Sequence, residues 1–169
     1  MSLHRLFLRY AITLPSGTLK WIGVRPEKKQ PLIALDKVMA IKHKGLEGDH
    51  RCIKTPDSAR QVTLISEEFI QQIAHYCNKS SIAPALLRRN LVVSGINLNA
   101  LRYQQFRIGD AIFEASALCH PCSRMEAVLG HGGVSAMLGH GGLCCKIIKS
   151  GEIKLGDSVD VLNTQQDLF

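Results

Sequence analysis

The stretch Phe106-Arg107-Ile108-Gly109-Asp110-Ala111-Ile112-Phe113-Glu114-Ala115 places two short apolar runs on either side of a Gly-Asp turn. Runs of this length that are rich in Phe and Ile and broken by glycine are typical of short β-strands. The stretch therefore predicts a pair of strands, or one strand that bends at Gly109.

The same pattern of short strands and glycine turns recurs along the chain. A Pro15-Ser16-Gly17 turn predicts an opening hairpin of residues 3–13 and 18–24. Further strands are predicted at residues 36–43, 61–65, 91–93, 144–149 and 158–162. Helices are predicted after the N-cap Ser66, from Pro84, near Ser123 and over residues 134–138. This mainly β pattern with a few short helices favours a small barrel over a doubly wound sheet.

Length, charge and cysteine use narrow the class of protein. A chain of 169 residues predicts one domain over residues 1–169. It has no apolar run long enough for a signal segment or a membrane span, and its six scattered cysteines favour a reducing compartment, so a cytoplasmic location is expected. The net charge of +7 favours anionic partners. Nucleic acid is not expected, because aromatic residues are only 5% and the basic residues are dispersed.

The most reactive part of the sequence is Cys119-His120-Pro121-Cys122-Ser123-Arg124-Met125-Glu126. Pro121 favours a turn, and a short helix is predicted to begin at about Ser123. A cysteine at a helix N-terminus and beside an arginine has a lowered pKa, so Cys122 is the favoured thiolate. This thiolate could bind a metal, carry sulfur, or cycle with Cys119, and a simple buried thiol is also compatible with the pattern.

A second informative segment is Gly45-Leu46-Glu47-Gly48-Asp49-His50-Arg51. Two glycines beside charged side chains suit a backbone that approaches a ligand, although an ordinary glycine turn gives the same pattern. Arg88, Arg89 and Asn90 precede the strand predicted at 91–93 and lie at its mouth.

Four segments, taken in order, resemble the MOSC domain, which is named for the C-terminal domain of molybdenum cofactor sulfurases. The segments are Gly45-Leu46-Glu47-Gly48-Asp49, Arg60-Gln61-Val62-Thr63, Asn90-Leu91-Val92-Val93-Ser94-Gly95 and Pro121-Cys122-Ser123-Arg124, within a resemblance that covers about residues 21–162. The resemblance implies a MOSC-type β-barrel with a pocket for the molybdenum cofactor (molybdopterin). It also implies that Cys122 is the metal ligand and catalytic cysteine or the sulfur acceptor. The implied cofactor-binding residues are Asp49, Arg60, Thr63, Asn90 and Arg124, and Arg51 of the charged segment is also predicted to bind the cofactor.

The resemblance further implies a small-molecule substrate. Similar small bacterial proteins reduce N-hydroxylated bases and amidoximes, and others of the family handle cofactor-bound sulfur. Because the chain has no room for a ferredoxin-like domain, a reductase of this size would need a separate electron-donor protein. Pyridoxal phosphate is not expected. Arg89 departs from the pattern, since an acidic residue is common before the asparagine.

Other functions remain open at this point. A structural zinc site could draw on cysteines and histidines of the C-terminal half. Its candidate ligands are Cys119, Cys122, Cys144 and Cys145 with one of His120, His131 or His140. A C-x-x-C also occurs in thioredoxin-like proteins, but the alternating helices of that fold are missing from the pattern. The third alternative is a cofactor-free binding or sulfur-carrier domain without turnover. Residues 163–169 are polar, follow the last predicted strand, and are expected to fray.

Overall fold

The computed structural model of the protein describes residues 1–54 and 56–162. Its strands are β1 (Gly17–Val24), β2 (Ile33–Leu35), β3 (Lys37–Ile41), β4 (Gly45–Leu46), β5 (Val62–Ser66), β6 (Leu91–Ser94), β7 (Gln105–Ile108), β8 (Ala111–Leu118), β9 (Leu143–Lys149), β10 (Gly151–Lys154) and β11 (Ser158–Val161). Its α-helices are α1 (Leu3–Ala11), α2 (Glu67–Tyr76), α3 (Arg124–Leu129) and α4 (Gly133–Met137), and 3-10 turns lie at His50–Ile53, Pro84–Leu87 and Leu98–Leu101. The fraying predicted for residues 163–169 lies outside the described residues.

Seven strands close into a barrel. Their order is β11-β7-β8-β9-β5-β6-β1, and β1 pairs with β11 to complete the circle, while β2 extends β1 on the outside. All neighbours in the barrel are antiparallel except β5 and β6, which are parallel. A second sheet of order β10-β3-β4 lies beside the barrel. The predicted mainly β barrel is therefore confirmed.

The strand pair predicted at residues 106–115 forms part of the barrel core. Phe106 lies opposite Phe113 in the β7–β8 register, and their rings stack with centroids 5.7 Å apart. Both side chains are fully buried in the main apolar cluster. Full burial of a phenylalanine stabilises a fold by about 1.5–3 kcal/mol, so this pair is a strong reason for the two short strands to associate.

A second apolar cluster covers the outside of the barrel, where α2 packs against α4 and against β5 and β6. The helix begins as predicted: the Ser66 hydroxyl accepts a hydrogen bond from the Phe69 N–H at 3.1 Å. Ile70, Ile73 and Ala74 form its buried face. The predicted helical turn at residues 134–138 is also present, as α4.

The opening hairpin prediction was wrong. Residues 3–13 were expected to form a strand because they are rich in Leu, Phe and Tyr, but the structure has the helix α1 there. The Ser2 hydroxyl accepts from the Arg5 N–H at 3.3 Å and caps the helix. Phe7 and Ala11 are four residues apart on the less exposed side of α1, which contacts the 3-10 turn Leu98–Leu101. The helical spacing of these contacts outweighed the strand propensity of the composition.

Within residues 1–54 and 56–162, none of the helices combines the length and the apolar composition that a membrane span requires.

Candidate functional site

A pocket of about 310 Å³ opens where β1 ends and where β5 and β6 begin. Its walls come from the loop after β1, the loop of residues 50–60, the Arg88-Arg89 pair and the segment after β8. Four separate stretches of sequence thus converge on one cavity.

The pocket wall carries a strong positive charge. Eight lysines and arginines line it, and within the described residues it has no aspartate or glutamate in its lining. The eight cations are Arg25, Lys28, Arg51, Lys54, Arg60, Arg88, Arg89 and Arg124. A concave surface of one charge sign raises the local concentration of counter-ions, so the pocket favours an anionic ligand.

Arg25 has a buried side-chain donor that no described residue accepts from. Its side chain is only 7% exposed, yet its Nε has no hydrogen-bond partner among the described residues. Burial lowers the pKa of this guanidinium, and the nearby Arg88 and Arg51 charges act in the same direction. An unpartnered buried donor costs roughly 1–3 kcal/mol, and more when it is charged, which an anionic ligand would offset.

Asp49 lies behind this wall. It is 4% exposed, and its carboxylate accepts hydrogen bonds from the backbone N–H groups of Arg25 at 2.9 Å and Arg51 at 3.0 Å. As the N-cap of the turn His50–Ile53, it joins the loop after β1 to the loop of residues 50–60. Asp49 therefore positions two cationic residues and does not itself line the pocket.

Asn90 extends the same network into the barrel. Its side-chain amide donates to the Asp49 carboxylate and to the Gly23 carbonyl, both at 3.1 Å. Its oxygen accepts from the Thr63 hydroxyl and the Thr63 N–H, also at 3.1 Å. Because β1, β5 and β6 meet at this one side chain, Asn90 fixes the geometry of the pocket floor from behind.

Arg89 is buried and acts as a clamp. Its guanidinium donates to the carbonyls of Gly141 at 2.8 Å, Leu87 at 3.0 Å and Cys119 at 3.5 Å. These three acceptors are neutral, so the Arg89 charge adds to the positive field of the pocket that it lines. Gly141, in the segment His140-Gly141-Gly142, lets the backbone around Cys119 pack closely here, since a Cβ on Gly141 would overlap the Cys119 carbonyl oxygen. Glycine is needed there for close backbone contact.

Cys122 lies on the exposed wall of the pocket. The Met125 N–H donates to the Cys122 carbonyl at 2.9 Å, and α3 begins at Arg124 with Ser123 as its N-cap. The predicted helix start near Ser123 is confirmed. Arg124 is exposed and lines the same wall.

A second sulfur site lies beneath Arg60. The Arg60 Nε donates to Cys144 Sγ at 3.3 Å, and its Nη2 donates to Cys119 Sγ at 3.7 Å. Both thiols are buried, with 4% and 3% exposure. A hydrogen bond from the Cys119 thiol, together with Arg60, lowers the pKa of Cys144 to about 5. The hydrogen bond to Cys144 and burial raise the pKa of Cys119. Of the two thiols, Cys144 is therefore the one that loses its proton more readily.

The four cysteines do not converge as a zinc site would require. Among residues 1–54 and 56–162, no three His, Cys, Asp or Glu side chains are grouped so that they could hold a metal ion. Cys145 faces the barrel core, whereas Cys122 is exposed. His131 is exposed, and the ring of His140 packs edge-on against Phe69 with centroids 5.2 Å apart. The structure gives no support to the zinc alternative.

The structure brings most of the predicted site residues together. Arg51, Arg60, Thr63, Cys122 and Arg124 line the pocket, while Asp49 and Asn90 lie behind it. Sequence reasoning did not select several residues of the site, which are Arg25, Lys28, His50, Lys54 and Arg88 in the lining and Cys144 below Arg60. Arg25 and Arg88 flank strand ends, which was the available signal. Nothing in the sequence around Cys144 indicates its contact with an arginine 84 residues away.

Residues 42–160 match the MOSC domain family. No protein of curated function matches the sequence significantly. Among solved structures, the chain is similar to the YuaD protein from Bacillus subtilis, with a TM-score of 0.74 and 20% identity over 88% of this chain and 96% of that one. It is also similar to YiiM from Escherichia coli (TM-score 0.65, 19% identity, 86% of this chain and 69% of that one). YiiM from Geobacillus stearothermophilus gives a TM-score of 0.67 at 12% identity, over 86% and 75% of the two chains. These likenesses show a shared fold.

Proposed function

Because the chain belongs to the MOSC domain family, which is associated with molybdenum cofactor binding and sulfur handling, we propose that its basic pocket binds the molybdenum cofactor. The observation that carries the proposal is the combination of eight cations, a buried Arg25 Nε without a partner, and an exposed cysteine in one cavity.

The donor groups fit this cofactor. Guanidinium groups and the ring nitrogens of a pterin phosphate ligand form directional hydrogen bonds, and arginine binds phosphate through two parallel N–H groups. The charges of Arg88, Arg51 and Arg124 all lower the pKa of Arg25, and the four side chains line one anion-binding wall. A single thiolate from the protein is a suitable ligand for a soft or high-valent metal. Cys122 would hold the metal, and the arginine wall would hold the phosphate.

In this function the remaining residues position the ligand. Asp49 and Asn90 hold the Arg25 and Arg51 backbones in place, and Thr63 completes the floor. When bound, the cofactor supplies the two-electron oxygen-atom chemistry that side chains lack. Because Cys122 is exposed, a small substrate can reach the reaction centre from solvent. The proposed reaction is the reduction of an N-hydroxylated base or an amidoxime, with electrons from a separate donor protein.

The first experiment measures molybdenum and extractable pterin in protein made in a host that synthesises the cofactor. Molybdenum close to one atom per chain is expected in the natural protein, with a loss of about tenfold or more in Cys122→Ser. The matched control is Cys77→Ser, because Cys77 is half-buried at the end of α2, away from the pocket. Equal molybdenum in Cys122→Ser and in the natural protein would contradict the ligand assignment.

The second experiment separates an enzyme from a carrier. Loaded protein is mixed with an amidoxime and a reduced viologen dye, which replaces the donor protein, and amidine formation is followed. Turnover that depends on Cys122 supports a reductase. Bound cofactor without turnover favours cofactor-bound sulfur handling, the alternative within the family.

A further inference from the structure

Cys144 is a residue that the proposed function leaves without a role. It lies on β9, follows the glycine pair Gly141-Gly142, and contacts the guanidinium of Arg60 from inside the protein. Cys119 contacts the same guanidinium through a different nitrogen. Arg60 is exposed on its other side and lines the pocket. The two sulfur atoms thus hold the inner edge of a cation whose outer edge faces the ligand.

We propose that Cys144 is a positioning residue for the pocket, and that its sulfur atom, together with that of Cys119, fixes the Arg60 guanidinium in an anion-binding orientation. The proposal rests on the proposed function, since it assumes that the pocket binds an anionic group. It adds a negatively charged sulfur that does not touch the ligand.

The strand register supports this arrangement. Ala117 is opposite Cys144 in the β8–β9 pairing, and Leu118 is opposite Leu143. Cys119 follows two residues after Ala117 and donates its backbone N–H to the Gly142 carbonyl at 2.8 Å. Cys119 and Cys144 are therefore diagonal neighbours on one face, and diagonal side chains on a sheet are within reach of each other. The alternation of the sheet turns Cys145 to the opposite face and into the core.

Electrostatics favour a charged Cys144. Arg60 and Arg89 both act to lower the pKa of this thiol, and the Cys119 thiol donates to it. In turn, the hydrogen bond to Cys144 raises the pKa of the Arg60 guanidinium. A long arginine side chain is mobile when only solvent contacts it, and ordering it in advance reduces the entropy lost on ligand binding. Two sulfur contacts provide this ordering for Arg60.

The test measures sulfate binding to the full chain by calorimetry, because sulfate stays a dianion across the useful pH range. Cys144→Ser keeps the size of the side chain and removes its charge at neutral pH, and it is expected to weaken sulfate binding about fivefold. Cys144→Asp restores a negative charge and is expected to bind within about twofold of the natural protein. Cys145→Ala is the matched control, because it changes the adjacent buried cysteine on the other face.

A second measurement reads the charge directly. Ultraviolet thiolate absorbance at neutral pH should be lower in Cys144→Ser than in the natural protein by one thiolate. Unchanged sulfate affinity in Cys144→Ser, or no difference in thiolate absorbance, overturns the positioning role and leaves the pocket intact. If the natural protein binds no sulfate, the anion-binding pocket fails as well, and the proposed function fails with it.

Discussion

Cys122 and Cys144 belong to one site but have opposite surroundings. Cys122 is exposed on the pocket wall at the start of a short helix, whereas Cys144 is buried on a barrel strand and contacts Arg60 at 3.3 Å. The hydrogen bond from Cys119 and the Arg60 guanidinium lower the pKa of the buried Cys144, whereas the exposed Cys122 has access to a ligand. The difference indicates that charge and reactivity are divided between two cysteines: one orders a cation, and the other is available for chemistry.

Both cysteines lie at the pocket that the Asn90 hydrogen-bond network supports. The largest effect is therefore expected from removing that network. Asn90→Ala removes a buried amide that bonds to Asp49, Thr63 and Gly23. It should lower the free energy of unfolding by about 3 kcal/mol, because several buried polar groups lose their partner at once. Urea unfolding followed by circular dichroism measures this loss.

The control variant for Asn90→Ala is Asn97→Ala. Asn97 is exposed and caps the turn Leu98–Leu101 without a side-chain hydrogen bond. This change should stay within about 0.5 kcal/mol of the natural protein. Equal stability of the two variants would mean that the Asn90 network does not hold the pocket together.

The next prediction compares the alkylation rates of the two cysteines. In native protein, iodoacetamide should modify Cys122 at least about tenfold faster than Cys144, because burial blocks access even to a stabilised thiolate. Peptide mapping by mass spectrometry at short reaction times gives both rates. Faster labelling of Cys144 would show that the Arg60 contact opens readily and that the two environments are less different than their exposure indicates.

The last prediction concerns the pH dependence of stability. The hydrogen bond from the Cys119 thiol and the Arg60 guanidinium lower the folded pKa of Cys144 to about 5, below that of a free thiol, so its charge stabilises the fold fully above the unfolded pKa. That contribution is lost progressively as the pH falls from about 9 to about 5. Over the same range Cys119, whose pKa is raised, stays protonated in the fold and adds no opposing slope below its unfolded pKa.

Thermal unfolding of the natural protein and of Cys144→Ser across this pH range measures the contribution. The difference between their midpoints should be largest near pH 9 and should shrink toward pH 5. Serine does not titrate in this range, so the titrating groups that do not contact Cys144 cancel between the two proteins. A difference that is constant with pH would argue against a thiolate at Cys144.

Local pattern predicted the fold better than it predicted the site. Short strands such as those around Gly109 carry their own turn signals, and Ser66 is a cap that can be read directly from the sequence. Residues 3–13 failed because an apolar-rich composition suits either a strand or a helix, and only the contact with the turn Leu98–Leu101 decided between them. Motif order located Cys122, Arg60 and Arg124, since those residues lie in recognisable segments.

The other features of the site could not be predicted from the sequence, because they depend on contacts between residues that are far apart in the chain. The sequence could not show that Asp49 and Asn90 lie behind the pocket wall, because burial of a polar side chain is decided by its partners on three strands. Nor could it show that Arg60 reaches Cys144, since the contact exists only when β5 and β9 pair. The same holds for the orphaned Arg25 Nε, which is defined by what surrounds it.

Closure of the barrel requires β1 to pair with β11, which is synthesised much later. These two strands are separated by almost the whole described chain, and Gly17 pairs with Val159. Pairing over such a separation is slow, because loop-closure entropy is lost before the contact is gained. During translation the barrel cannot close until residues 158–161 have left the ribosome. A pocket built from β1, β5 and β6 therefore gains its complete barrel support only after residues 158–161 have been synthesised.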